Sequence, residues 1–441
     1  MRRIALLVLA ASVVGGIACG ISLDPISGVA PVADGGRDVG QPPLVDAGLD
    51  GGAEEDAPAP EEDAGVLSPS NVAVGFEADA GLRDFPITVS LISTGVGGAP
   101  PSLVPLPSNA PTIALETTLT GETVAVLRVR DFTVATDLDV VGEHPLVVIA
   151  TGDVRIDAVV KAGVDSLGGP GPGGFFGGQG PGKGGDGAGG TGGGSAAANA
   201  NSGGGGGGHG APGGVGGDSS NAATVGGLAG TMYPASMDDV RLVGGSGGGS
   251  GIPNEATCSA PGGSGGGALQ ISALGPIVVG AAGRLDVGGG GGSGGCQNGG
   301  VLGSGAGGGA GGLILLESRQ LRIEGFVSAN GGGGGGGATS GKSGQPGAVG
   351  PRAADVAAGG TSGVAGSYVG GVGGAAVPGA DGGVDGGAAN VLPGKGDVGA
   401  ASGEGAGGGG AYGRILLRSR SAGITILGTG GVSPTARRIP F

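Results

Sequence analysis

The chain contains no tryptophan, and its three tyrosines and seven phenylalanines bring aromatic residues to only 2% of 441. A thick core built on large aromatic anchors is excluded, so any core must be thin and aliphatic. Histidine is almost as scarce, with only His144 and His209. Nucleophilic triads and imidazole metal sites therefore have at most two candidates to draw on. Charged residues make up 13%, too few for ordinary disorder, which combines low hydrophobicity with high charge. Basic residues are the scarcer kind: 21 Lys and Arg face 36 Asp and Glu, a net charge of −15. That balance disfavours nucleic acid and anionic membrane surfaces as partners. The apolar stretch from Ile4 to Val14 is too short for a good membrane span.

What is abundant is glycine. The 120 Gly and 28 Pro make about a third of the chain, the composition of low-complexity sequence. Against full disorder stand a mean hydropathy of +0.25 and the concentration of Val, Ile and Leu in recurring segments. Length alone suggests two or three domains; the repeats argue for one elongated body with decorations.

Residues 1–19 open with Arg2 and Arg3, continue through Ile4–Val14 and end Gly15-Gly16-Ile17-Ala18-Cys19. A basic start, a short apolar core and small residues at the end make a secretory signal. Cys19 after Ala18 resembles the lipobox of bacterial lipoproteins, which implies a diacylated Cys19 at the mature N-terminus and a membrane partner through that lipid. Gly16 departs from the aliphatic residue usual there, and ordinary cleavage after Ala18 is the competing expectation. Gly20 after the Cys implies the outer membrane. Residues 20–70 carry eleven acidic residues against Arg37, among Pro, Gly and Ala. Like charges extend such a chain, so the expectation is a disordered tether. A calcium-binding run would need fixed ligand spacing that is missing.

From residue 124 to 441 an aliphatic unit of three short alternating strands recurs. Val147 and Ile149, then Val154 and Ile156, then Val160 and Ala162 align with Leu269/Ile271, Ile277/Val279 and Leu285/Val287. The series continues with Ile314/Leu316, Leu321/Ile323, Val327/Ala329, and with Ile415/Leu417, Ile424/Ile426, Val432. Leu127, Val129, Val134 and Val140 stand 20 residues before Val147, Ile149, Val154 and Val160. This spacing predicts an all-β, parallel β-solenoid of about five coils, with residues 71–123 as an N-terminal β region or cap. Arg155, Arg322 and Thr425 lie between inward pairs and should face out. An antiparallel sandwich would need hairpin signals between consecutive strands, and few are present.

Glycine-rich inserts interrupt the unit at about 163–265, 288–312 and 330–412, always after the third strand and before the first. In a solenoid they would emerge from one corner. Two outcomes are open: flexible fringes, or glycine runs packed side by side as polyglycine II helices whose missing side chains let backbones approach. The second is favoured.

Several catalytic patterns arise by composition. Gly336–Ser343 satisfies the phosphate-loop spacing, but no helix pattern follows it. Ser246, Ser264 and Ser293 sit in G-x-S-x-G contexts inside glycine runs, with no histidine in pattern. Gly184–Gly187 and the Asp381/Asp385 region lack the nine-residue recurrence of calcium repeats. No cofactor or metal is expected. Cys258 and Cys296 flank one unit almost symmetrically, and after export an oxidising environment would join them.

Phe132-Thr133-Val134, the block Val140–Ala150 and the later Leu-Ile-Leu-Leu and Ala-Asn-Gly-Gly segments resemble glycine-rich secreted proteins and lipoproteins of myxobacterial type. The resemblance covers about 125–435 and implies architecture and a surface location. The expected function is a non-catalytic structural or adhesive envelope lipoprotein, acting through self-association or contact with envelope or extracellular glycan. Alternatives are a glycan- or ice-binding solenoid and, further off, a polysaccharide-degrading enzyme, which would concentrate charges and aromatics on one face.

Overall fold

The computed structural model describes Ser68–Val72 and most of 84–439; its longer gaps are 106–109, 189–192, 197–201, 219–224, 234–239, 253–259, 363–374, 377–389 and 399–403. The chain divides between Asp63 and Ala64. The leader, Cys19 and nearly all of the tether lie outside the described residues.

Among the described residues there is no α-helix, and the strands form three large sheets of six, seven and seven members. Successive strands visit the sheets in rotation. One round runs Thr123–Val129, Phe132–Val134, Leu138–Val141; the next is Leu146–Ala150, Val154–Ile156, Val159–Lys161. Three more begin at Ala268, Leu313 and Arg414. Each strand pairs in parallel with its counterpart one round on. Phe85–Pro86 and Leu91–Ser93 add a partial round before these, and Arg437–Ile439 adds one strand after. Ser102–Val104 and Ile113–Thr117 pair antiparallel at the ends of their sheets, covering edges that would otherwise be open.

Alternate residues point into one mostly aliphatic cluster enclosed by the three sheets, from Phe85 and Phe132 through Leu127, Ile156, Leu269, Ile323 and Leu417. Arg155 and Arg322 project outward in ion pairs with Asp157 and Glu324, and Thr425 is exposed, as expected. The 20-residue register is not observed. Val148 pairs with Leu127, 21 residues before it, and Ile156 with Val134, 22 before. The even shift keeps Val154 and Ile156 inside, whereas the odd shift turns Val147 and Ile149 outward, leaving Leu146, Val148 and Ala150 in the core. All five residues of Leu146–Ala150 are buried. A strand apolar on both faces gives no parity signal, which is why the pattern misled there.

Val147 and Ile149 are buried because the third sheet is covered on its outer side. With Val124, Val126, Leu313, Leu315 and Leu416 they form a second cluster under Val72 and Leu242. The folded body thus takes up the chain from Ser68, slightly before the expected end of the tether. Ser70 donates to Glu317 through its amide (3.1 Å) and its hydroxyl. Glu317 is fully buried and also accepts from Gln270 (2.8 Å), Ser272 (2.7 Å) and Arg418 (3.0 Å). A carboxylate removed from water is tolerable only with such a full set of donors.

The inserts leave strands of the second sheet and return to strands of the third, and their glycine runs are hydrogen-bonded to one another. In residues 303–312 consecutive amides turn to three neighbours in rotation. Gly305, Gly308 and Gly311 donate to Gly405, Gly408 and Ala411; Gly303, Ala306 and Gly309 donate to Cys296, Ser293 and Gly290; Gly307 and Ala310 donate to Gly249 and Ser246. Three other segments donate back: Gly204 and Gly207 to Gly305 and Gly308, Gly332 and Gly335 to Gly309 and Ala306, Gly263 and Gly266 to Gly307 and Ala310. One run therefore has six backbone neighbours. Three of the methyl groups that do occur, those of Ala211, Ala310 and Ala411, meet each other.

Glycine is required here by distance. A Cβ at Gly307 would stand 1.9 Å from the Gly205 carbonyl oxygen, and one at Gly308 2.2 Å from that of Gly332. No described glycine beyond Gly182 has a positive φ, so left-handed backbone is not the reason. Gly308→Ala should cost about 2 kcal/mol or more, the usual penalty for overpacking a tight site. Gly184→Ala, with its nearest new contact at 3.4 Å, should stay within about 0.5 kcal/mol. Denaturant titration of the two variants checks this, and equal losses would mean that this slab of hydrogen-bonded glycine runs does not set the stability.

Candidate functional site

The catalytic patterns that arise by composition are built into the slab. Gly336 pairs with Gln345, Thr339 bridges Lys342, and no helix forms among the described residues after them, so the helix a phosphate loop needs does not follow. The Ser246 hydroxyl bonds the Tyr233 hydroxyl at 2.5 Å, and Ser264 donates to the Gly168 carbonyl at 2.6 Å. Ser293 accepts the Ala306 amide through its carbonyl. Asp381 and Asp385 lie outside the described residues, and no group of three metal-ligating side chains occurs among those described. Cys296 is disulfide-bonded; Cys258 lies outside the described residues.

Pattern reading missed a cleft of about 560 Å³ between the first insert and the starts of the third sheet's strands. Two turns make one wall. Gly121 (φ +92°) closes the hairpin before Thr123–Val129 and presents Glu122. Gly142 (φ +132°) opens the joint Gly142–Pro145 and presents Glu143 and Pro145; a Cβ there would stand 2.4 Å from the Thr94 hydroxyl. The first insert supplies Phe175, His209, Tyr233, Arg241 and Leu242, and the sheet supplies Leu313 and Arg414.

His209 is 1% exposed and its ring meets that of Tyr233 edge-on, centroids 5.1 Å apart. Its Nε2 lies 2.9 Å from the Val243 carbonyl oxygen, which can only accept, so Nε2 carries the proton. Nδ1 is then a bare acceptor, and it has no hydrogen-bond partner. Burial pushes the imidazole down to about 3, and the positive charge of Arg414 adds to the effect. Arg414 donates to the Tyr233 carbonyl, and the Tyr233 hydroxyl accepts from the Ala188 amide at 2.9 Å. Burial raises the Tyr233 phenol, so it stays protonated. Burial works against ionisation of Glu122 too, but hydrogen bonds from Thr120 and Thr118 and the charge of Arg241 hold its carboxyl below the usual range. Glu143 accepts the Gly97 amide at 2.7 Å. The cleft balances two arginines against two glutamates around a neutral histidine.

A second perturbed group lies in the slab. Glu404 is 6% exposed, its Oε2 has no partner, and burial pushes its carboxyl up to about 7.

The two groups act on stability with opposite sign. His209 takes up a proton near pH 6.5 when unfolded and only near 3 when folded, so its contribution is complete above 6.5 and falls as pH drops towards 3. The slope reaches about 1.4 kcal/mol per pH unit. Glu404 holds its proton longer in the folded state, so its contribution falls as pH rises from about 4.5 to about 7. The stability advantage of the natural chain over His209→Phe should therefore shrink between pH 6.5 and 4.5. Unfolding free energies at those two pH values test it, and a constant difference would show that His209 is not held neutral.

Comparison with known proteins finds no matching protein family, no matching curated protein and no matching solved structure.

Proposed function

We propose that this is a non-catalytic lipoprotein of the bacterial envelope, anchored through Cys19 and displaying a rigid structural or adhesive body. In this reading the three sheets form a parallel β-solenoid and the inserts a bundle of polyglycine II helices beside it. The observation that carries the reading is the six-neighbour hydrogen bonding of residues 303–312. Threefold rotation of successive amides is what a threefold helix without side chains produces. A slab of this kind spends ordering entropy on a large fraction of the chain, which suits a protein whose function is to hold a surface in place. The hydroxyls of Ser246 and Ser264 are engaged within the slab, which favours a structural role over a hydrolytic one.

The anchor is tested by surface proteolysis of intact cells producing the natural chain or Cys19→Ala. The natural chain should be cell-bound and shaved by protease, with lipid on Cys19 by mass spectrometry. Recovery of Cys19→Ala on the cell surface in equal amount would refute anchoring.

The disulfide of Cys296 we assign to Cys258, closing a loop of about 40 residues. The chain-entropy relation gives about 4 kcal/mol for a loop of that size. Non-reducing peptide mapping should recover the Cys258–Cys296 pair, and reduction should lower the melting temperature. Recovery of Cys258 as a free thiol would refute the assignment.

A further inference from the structure

The cleft has properties that a structural slab does not call for. At Gly307 and Gly308 a neighbouring carbonyl oxygen stands about where a Cβ would be, yet here about 560 Å³ stays open, within the size range of small-molecule sites. It gathers Phe175, Tyr233 and one of the two histidines of a chain that is 2% aromatic. At its wall His209 keeps Nδ1 as a buried acceptor with no partner in the protein. Leaving a buried polar atom unpaired costs about 1–3 kcal/mol, and a donor brought by a ligand would recover that.

The lining restricts what that ligand can be. A phosphate or carboxylate approaching Arg241 would also meet Glu122 and Glu143, and a cation would meet Arg241 and Arg414. A pure hydrocarbon would leave His209 Nδ1 unpaired. Carboxylates and guanidinium groups each present two parallel acceptors or donors, a geometry matched by neighbouring hydroxyls. The half-buried Phe175 ring offers the apolar surface that a saccharide ring covers with its C–H face, and the buried Pro145, Leu242 and Leu313 line the cleft beside it. We propose that the cleft binds a neutral saccharide of one or two units, free or as the end of a polysaccharide, with one hydroxyl donating to His209 Nδ1 and the ring lying on Phe175. The site is independent of the lipid anchor, so failure of either proposal leaves the other standing.

The test uses the full exported protein. Cellobiose, maltose and N,N′-diacetylchitobiose are titrated by calorimetry, with glucuronic acid, glucose 6-phosphate and N-acetyl-trialanine amide as counter-probes. At least one neutral disaccharide should bind, and His209→Phe and Arg241→Ala should each weaken it tenfold or more. The ¹⁵N resonance of His209 Nδ1 should shift on saturation, as an acceptor gaining a hydrogen bond does. Should His209→Phe fail to fold, the exposed Arg241→Ala variant and the ¹⁵N shift in the natural protein decide. Binding of insoluble cellulose or chitin in addition to the disaccharide identifies a chain end as the source, whereas binding to the polymer without any disaccharide overturns the cleft as the site. Tighter binding of an acidic sugar or the peptide, an unmoved Nδ1 resonance, or no binding at 10-fold molar excess over millimolar protein would also overturn it.

Discussion

Backbone held against backbone, with no side chain between, is the constraint on which this structure depends. Glycine loses the most conformational freedom on ordering, and a run of six glycines alone in water would stay disordered. In residues 303–312 the opposing gain is directional: donors go to three segments and acceptors serve three others. Each such bond contributes only about 0.5–1.5 kcal/mol net, so no single pair of runs would suffice. The assembly is cooperative by geometry, because an outer run lacks partners until an inner one is placed. A Cβ at the contact distances of Gly307 or Gly308 would push neighbours apart and remove several bonds together. The excess of glycine is thus a packing requirement.

The sheets supply the template for that packing. Backbone pairing continues from the second and third sheets into the slab: Leu313 donates to Gly267 and Arg414 to Gly312, while Gly312 donates to Val287 and Gly413 to Ala329 just past strands of the second sheet. Strands in a sheet stand about 4.7–4.9 Å apart, and the chain segments leaving them start with that spacing already set. This accounts for inserts of very different length between otherwise constant rounds. Length can vary, provided each insert leaves the second sheet and re-enters the third.

Much of this was legible in the sequence, and the failures are instructive. Wherever one face was polar the aliphatic alternation was read correctly, as at Val154-Arg155-Ile156 and Leu321-Arg322-Ile323. It failed at Leu146–Ala150, where Val147 and Ile149 are as apolar as their neighbours and only the 21-residue pairing decides the face. The cover that makes those residues buried comes from Val72 and Leu242, remote in sequence and carrying no periodic signal. The cleft was invisible for a related reason. His209, Tyr233, Arg241 and Arg414 share no motif, and they meet only because the slab fixes where each run ends. The available signal was scarcity: a histidine and a tyrosine are rare bulky rings within glycine-rich sequence.

That exception links the slab to the cleft. The Tyr233 hydroxyl joins the Ala188 amide and the Ser246 hydroxyl, its carbonyl accepts from Arg414, and its amide donates to the His209 carbonyl. Ser246 in turn accepts Ala310 through its carbonyl, inside the six-neighbour run. The side chains around the opening are therefore fixed by residues whose own positions the glycine lattice determines. A loop carrying the same side chains would have to order them on binding, at about 0.5–1.5 kcal/mol for each flexible side chain. Here that ordering is already complete in the folded chain. A scaffold of closely packed, side-chain-free backbone thus holds the large polar residues around this opening in one arrangement.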